Sequence, residues 1–177
     1  MVDYLSCLDK ALVETLKNKS LTITTAESCT GGMVASSIVN ISGASDIFKE
    51  GYITYSNEAK ERILGVKHET LEKYKAVSAE TAAQMAEGAV RISKADISVS
   101  VTGVAGPSRE DDKPVGLVYI GCCYKGETHV KECDLSGDRY TIRCQSTKEA
   151  LKFVLDIIKT NRSEERRVGK ECRSRWS

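Results

Sequence analysis

Three strand-like runs, each closing on a polar or glycine-rich turn, constrain this chain more than any other feature. They are residues 21–26 (LTITTA), 51–55 (GYITY) and 97–101 (ISVSV), all short and rich in β-branched or aromatic side chains. Helical periodicity fills the intervals. Leu5, Leu8, Leu12 and Leu16 step by three and four, which predicts an amphipathic helix over 2–19. A small-residue helix is expected over 30–41, opened by Thr30-Gly31-Gly32. A short one follows over 56–64 with Ser56 or Asn57 as its cap, and another turn or two over 68–74. Ser78 caps a helix over 79–93 whose Ala82, Ala86, Ala89 and Val90 share a face. Residues 115–124 and 128–135 read as a hairpin around Lys125-Gly126. Gly137-Asp138 opens a last helix striped by Leu151, Val154, Leu155 and Ile158. Helices alternating with strands early and a hairpin late predict an α/β domain. It is expected to be a three-layer α/β/α arrangement around a mixed, mostly parallel sheet of about five strands.

The 177 residues suffice for one domain with a core, and 41% apolar with 29% charged residues excludes a disordered chain. The last sixteen residues, RSEERRVGKECRSRWS, read as an in-frame translation of a sequencing adapter. Residues 162–177 are therefore set apart as a non-native, disordered tail, and 1–161 as the domain. Without the tail the charge is −2, and aromatics are only 6% of the chain, which argues against a nucleic-acid partner. With no apolar run of membrane-spanning length and no signal segment, a cytoplasmic protein without a membrane partner is expected. No Cys-x-x-Cys pair occurs, and the two histidines are isolated, so no metal site is expected.

Four clusters fall where chemistry is expected, beyond the C-terminal ends of strands or at the start of the last helix. The first, Thr24-Thr25-Ala26-Glu27-Ser28-Cys29-Thr30-Gly31-Gly32, puts hydroxyls and two glycines at a helix start whose N–H groups suit an anion or oxyanion. Alone it reads equally as a capped turn. The second is Tyr55-Ser56-Asn57-Glu58-Ala59-Lys60, where Ser56, Asn57 and Lys60 are spaced to share a helix face, although such a lysine is usually solvated. The third runs from Thr102-Gly103 through Gly106-Pro107 to Lys113-Pro114-Val115-Gly116, with glycines that admit close backbone approach or simply a left-handed turn. The fourth is Ser136-Gly137-Asp138-Arg139, where Asp138 suits a helix cap, and Arg139 a phosphate or a surface ion pair.

TTAESCTGG, GYITYSNEAK, VSVTGVAGP, KPVG and SGDR, in this order and spacing, resemble the CinA C-terminal-domain family from about Leu5 to Ile158. The resemblance implies a nicotinamide mononucleotide deamidase that releases nicotinic acid mononucleotide and ammonia without a metal or organic cofactor. It implies Ser28 as nucleophile and Lys60 as its base. Around them, backbone amides of Cys29, Thr30, Gly31 and Gly32 are the expected oxyanion donors. Tyr55, Asn57 and Thr102 would orient the pair or the carboxamide. The substrate's phosphate would meet either Arg139 with the last helix, or the turn from Gly103 to Gly106. A homodimer is also expected. The loop Ser108-Arg109-Glu110-Asp111-Asp112 departs from the family's Gly-rich pattern. A serine–lysine pair suits a chain with no histidine near these motifs, provided the amine is neutral; a carboxylate tightly paired with it, Glu27 or Glu58, would defeat the scheme. The alternatives are a non-catalytic nucleotide-binding or regulatory module, and an amidohydrolase for a related carboxamide.

Overall fold

The computed structural model describes the backbone of residues 2–174 and the side chains of residues 7–161. Helix α1 spans Val2–Lys19 and α2 Met33–Val39. Helix α3, Asn57–Ala59, passes directly into a π-helical turn, Lys60–Leu64. Then come α4 (His68–Tyr74), α5 (Ala79–Ser93) and α6 (Arg139–Ser174). The strands are β1 (Ile23–Glu27), β2 (Phe48–Ile53), β3 (Ile97–Gly103), β4 (Leu117–Tyr124) and β5 (Glu127–Asp134). A 3-10 turn, Ala44–Asp46, precedes β2.

The sheet order is β2-β1-β3-β4-β5. β1 pairs in parallel with both β2 and β3, and the β4–β5 hairpin is added antiparallel. Four of the five strands thus point one way, although only two of the four pairings are parallel. Lys125 and Gly126 both have positive φ, the conformation that a two-residue hairpin turn requires. Helices α1, α2 and α6 cover one face and α5 the other, which is the three-layer α/β/α arrangement.

Strand β3 sits at the centre with every residue buried, and its alternation explains both layers. Ile97, Val99 and Val101 join Leu12, Leu16, Leu151 and Val154 in the larger core. The opposite face carries hydroxyls. Ser98 Oγ donates to the Ala86 carbonyl (2.6 Å), Ser100 Oγ to Ala82 (2.6 Å) and Thr102 Oγ1 to Ala76 (2.8 Å). Buried hydroxyls are thereby satisfied on the backbone of α5 and the segment before it. The close approach needs a glycine on the neighbouring strand: a Cβ on Gly121 of β4 would lie 2.5 Å from both the Ala82 carbonyl oxygen and Ser100 Oγ.

Several boundaries differ from those the sequence predicts. The small-residue helix starts at Met33, not Thr30, because Gly31 and Gly32 adopt positive φ and make the turn. Strand β2 starts at Phe48 rather than Gly51 because its extent is dictated by pairing with the buried β1. The backbone stays helical to Ser174, through most of the segment expected to be disordered, since extending an existing helix needs no new nucleus. Among the described residues, no helix is long and apolar enough to cross a membrane.

Candidate active site

The C-terminal ends of β1 and β3 open onto a cavity of about 280 Å³. Of the residues singled out by sequence, Ser28, Cys29, Tyr55, Asn57, Lys60, Thr102, Gly103, Gly106 and Arg139 line it. Thr30, Gly31 and Gly32 do not.

Lys60 is delivered by an unusual local structure. Ser56 Oγ caps α3 by accepting the Ala59 N–H at 3.2 Å, and the chain then widens into the π-helical turn that begins at Lys60. Such widened turns redirect side chains and recur at functional sites. Lys60 is only 1% exposed, although Asn57 and Glu58 beside it are exposed. Its Nζ lies 3.4 Å from Ser28 Oγ and 3.3 Å from the Tyr55 carbonyl oxygen. Nζ donates to both oxygens in this arrangement, and a neutral amine in the same place can instead accept the serine proton.

Burial pushes the Lys60 amine below its ordinary value of 10.5, with Glu110 the leading opposing influence, ahead of Cys29 and Glu58. Burial also pushes the Cys29 thiol up to about 12, so that neighbour is neutral at physiological pH and contributes no charge. Glu27 does not touch Lys60. Its buried carboxylate instead caps α2, accepting the Gly32 N–H (2.9 Å) and Val34 N–H (3.1 Å) on Oε2 and the Ala35 N–H (2.9 Å) on Oε1.

This capping revises where an oxyanion can be held. The Gly32 amide is taken by Glu27, and the Gly31 amide donates to the Ser28 carbonyl at 3.1 Å. The amides of Cys29 and Thr30 are the remaining candidates in the turn, and of these two residues only Cys29 lines the cavity. The Thr102 hydroxyl spends its proton on the Ala76 carbonyl, which fixes that part of the cavity wall and leaves the oxygen to meet a ligand only as an acceptor.

Arg139 spans the opening, donating from Nη1 to the Gly106 carbonyl (2.6 Å) and from Nη2 to the Tyr55 hydroxyl (3.0 Å). The two phosphate sites that sequence offered as alternatives, Arg139 and the 103–106 turn, are therefore joined. Asp138 Oδ1 accepts the Thr141 N–H at 2.8 Å and caps α6. One functional neighbour was missed by sequence. Arg143 donates from Nε to the Cys29 carbonyl (3.1 Å) and from Nη2 to the Thr30 carbonyl (2.7 Å), clamping the turn after Ser28 from α6. It lies four residues after Arg139, one helical turn on, and that spacing was the available signal.

Known proteins share this arrangement of sequence and fold. The CinA C-terminal domain family matches residues 6–158. A CinA-like protein of Kosmotoga olearia is 53% identical over 148 residues, 83% of this chain and 36% of the relative. A Clostridium novyi protein named as competence-damage inducible is 50% identical over the same shares. The chain thus spans about a third of the length of these curated relatives. Among solved structures, the competence-damaged protein (CinA) superfamily protein of Escherichia coli superposes with a TM-score of 0.85. It is 36% identical, and the match covers 88% of this chain and 91% of that one. The competence/damage inducible protein CihA of Agrobacterium tumefaciens gives a TM-score of 0.83 at 37% identity, over 86% and 94% of the two chains. By sequence and by fold, the chain belongs to the CinA C-terminal domain family.

Proposed function

We propose that the chain hydrolyses the carboxamide of nicotinamide mononucleotide, giving nicotinic acid mononucleotide and ammonia. The observation that carries this reading is a buried lysine with its amine 3.4 Å from a serine hydroxyl, both lining one cavity with an arginine at its opening. Lys60 takes the Ser28 proton as Oγ attacks the carboxamide carbon. The tetrahedral oxyanion is held by the Cys29 amide, and Lys60 then returns the proton to departing ammonia. Water, deprotonated by the same amine, hydrolyses the resulting ester and frees Ser28. The 5′-phosphate is read by Arg139, and neither a metal nor an organic cofactor takes part. A cytoplasmic homodimer is part of the same proposal.

The test is ammonia release from nicotinamide mononucleotide by the full chain, beside Ser28→Ala, Lys60→Ala and Lys60→Arg. All three are expected to lose about a thousandfold or more in kcat, the arginine because a guanidinium is never a base at these pH values. A folded wild-type chain that binds the nucleotide but releases no ammonia would overturn the amidase. It would leave the non-catalytic nucleotide-binding module.

A further inference from the structure

Three basic side chains and one acidic one line the cavity: Lys60, Arg109 and Arg139, and Glu110. Glu110 is the sole carboxylate among them. A carboxylate in a site for a phosphorylated ligand repels that ligand unless a cation of the ligand meets it. No side chain of the protein pairs with it directly: among the described residues, none of the ion pairs involves Glu110, and its charge acts on the Lys60 amine without an ion pair between them. Nor is the residue placed by chance. The Lys113 N–H donates to the Glu110 carbonyl (2.8 Å) and the Glu110 N–H to the Lys113 carbonyl (3.4 Å), closing a tight turn. Asp111 and Asp112 at its tip adopt positive φ, and Arg109 Nη2 donates to the Asp112 carbonyl at 2.8 Å.

We propose that Glu110 is a specificity residue that receives the positive charge of the ligand's pyridinium ring, so that the site prefers oxidised carboxamide nucleotides to those with an uncharged ring. This inference rests on the amidase reading above and names the ring state of its substrate. The opposite end of such a ligand, its phosphate, meets Arg139, so the cavity offers both an anion and a cation to a molecule that carries both charges. Glu110 is also the leading influence holding the Lys60 amine up against burial. A cation seated on Glu110 offsets that influence at the moment the base is needed.

The experiment compares oxidised and reduced nicotinamide mononucleotide, the latter with an uncharged dihydropyridine ring, on the full-length wild type, Glu110→Gln and Glu110→Asp. The ratio of kcat/KM for the oxidised over the reduced form is expected to fall about fivefold in Glu110→Gln, as for a partly exposed ion pair. Glu110→Asp, which keeps the charge, is expected to retain most of the preference. An unchanged ratio in Glu110→Gln overturns the proposal. If the wild type releases ammonia from neither form, the amidase reading has failed separately, and the calorimetric Kd ratio for the same two nucleotides decides. An equal Kd ratio in wild type and Glu110→Gln then overturns the charge preference, and a fivefold loss supports it.

Discussion

Removing the Glu27 carboxylate tests the local physics of the turn after Ser28 most directly. Three backbone N–H groups at the start of α2 converge on it at 2.9–3.1 Å, and the residue is 1% exposed. Each hydrogen bond to a charged group contributes about 1.5–3 kcal/mol net. The three share one buried charge whose desolvation offsets part of that sum. Glu27→Ala leaves three donors facing a void, so the expected cost is about 3–5 kcal/mol, the range for breaking a buried ionic group. At about 2–4 °C per kcal/mol for a chain of this size, Tm should fall by roughly 6–20 °C. Glu27→Gln keeps the shape but aims an amide N–H at a backbone donor, and about 2 kcal/mol is expected. Urea unfolding of wild type and both variants, with equal m-values, measures the differences. A Glu27→Ala midpoint within about 1 kcal/mol of wild type would refute the argument that this carboxylate holds the turn.

Other perturbations follow from the same coordinates. Because burial lowers the Lys60 amine while the free base is the active form, kcat/KM should rise with pH on one ionisation with a midpoint below 10.5; Glu110→Gln should move that midpoint lower. A profile flat from mildly acid to alkaline pH would count against the pair. The same depression makes the unfolded chain bind more protons between the folded midpoint and 10.5. Unfolding free energy should therefore rise with pH across that window, and Lys60→Met should flatten the rise. Gly88→Ala would place a methyl 2.0 Å from the Leu64 carbonyl at the end of the π-helical turn. A loss of about 1–3 kcal/mol with a parallel loss of ammonia release is expected, and calorimetry beside the activity assay checks both.

The architecture was largely legible because its strongest signals are local. Ser78 accepts the Thr81 N–H at 3.2 Å and starts α5 where its residue type and the alanine stripe place it. His68–Tyr74 likewise coincides with its pattern. Boundaries failed where tertiary pairing overrides propensity, as at Phe48 on the edge strand. At the site, residue types and motif order brought out Ser28, Lys60 and Arg139. The inward turn of Lys60 was not legible, since a π-helical register leaves no periodic mark in sequence. Nor was the occupation of the Gly32 amide by Glu27, which depends on a side chain folding forward over its own following turn. Gly31 and Gly32 look like a ligand cradle in sequence, whereas their use here is the left-handed backbone that lets the turn close.

The hydroxyl ladder on β3 acts as a vernier scale. Two residues of strand advance about 6.7 Å, and four residues of helix about 6.0 Å, so successive serines nearly keep step with successive carbonyls one turn apart. Ser98 reads Ala86 and Ser100 reads Ala82, so the two elements run in opposite senses, and sliding α5 by a turn would mismatch the graduations. Beyond the helix the step lengthens: Thr102 reaches back six residues, to Ala76 in the segment before α5, and Ala76 and Val77 line the cavity. The depth of that wall is therefore gauged from the far end of the strand, by residues that never meet a ligand.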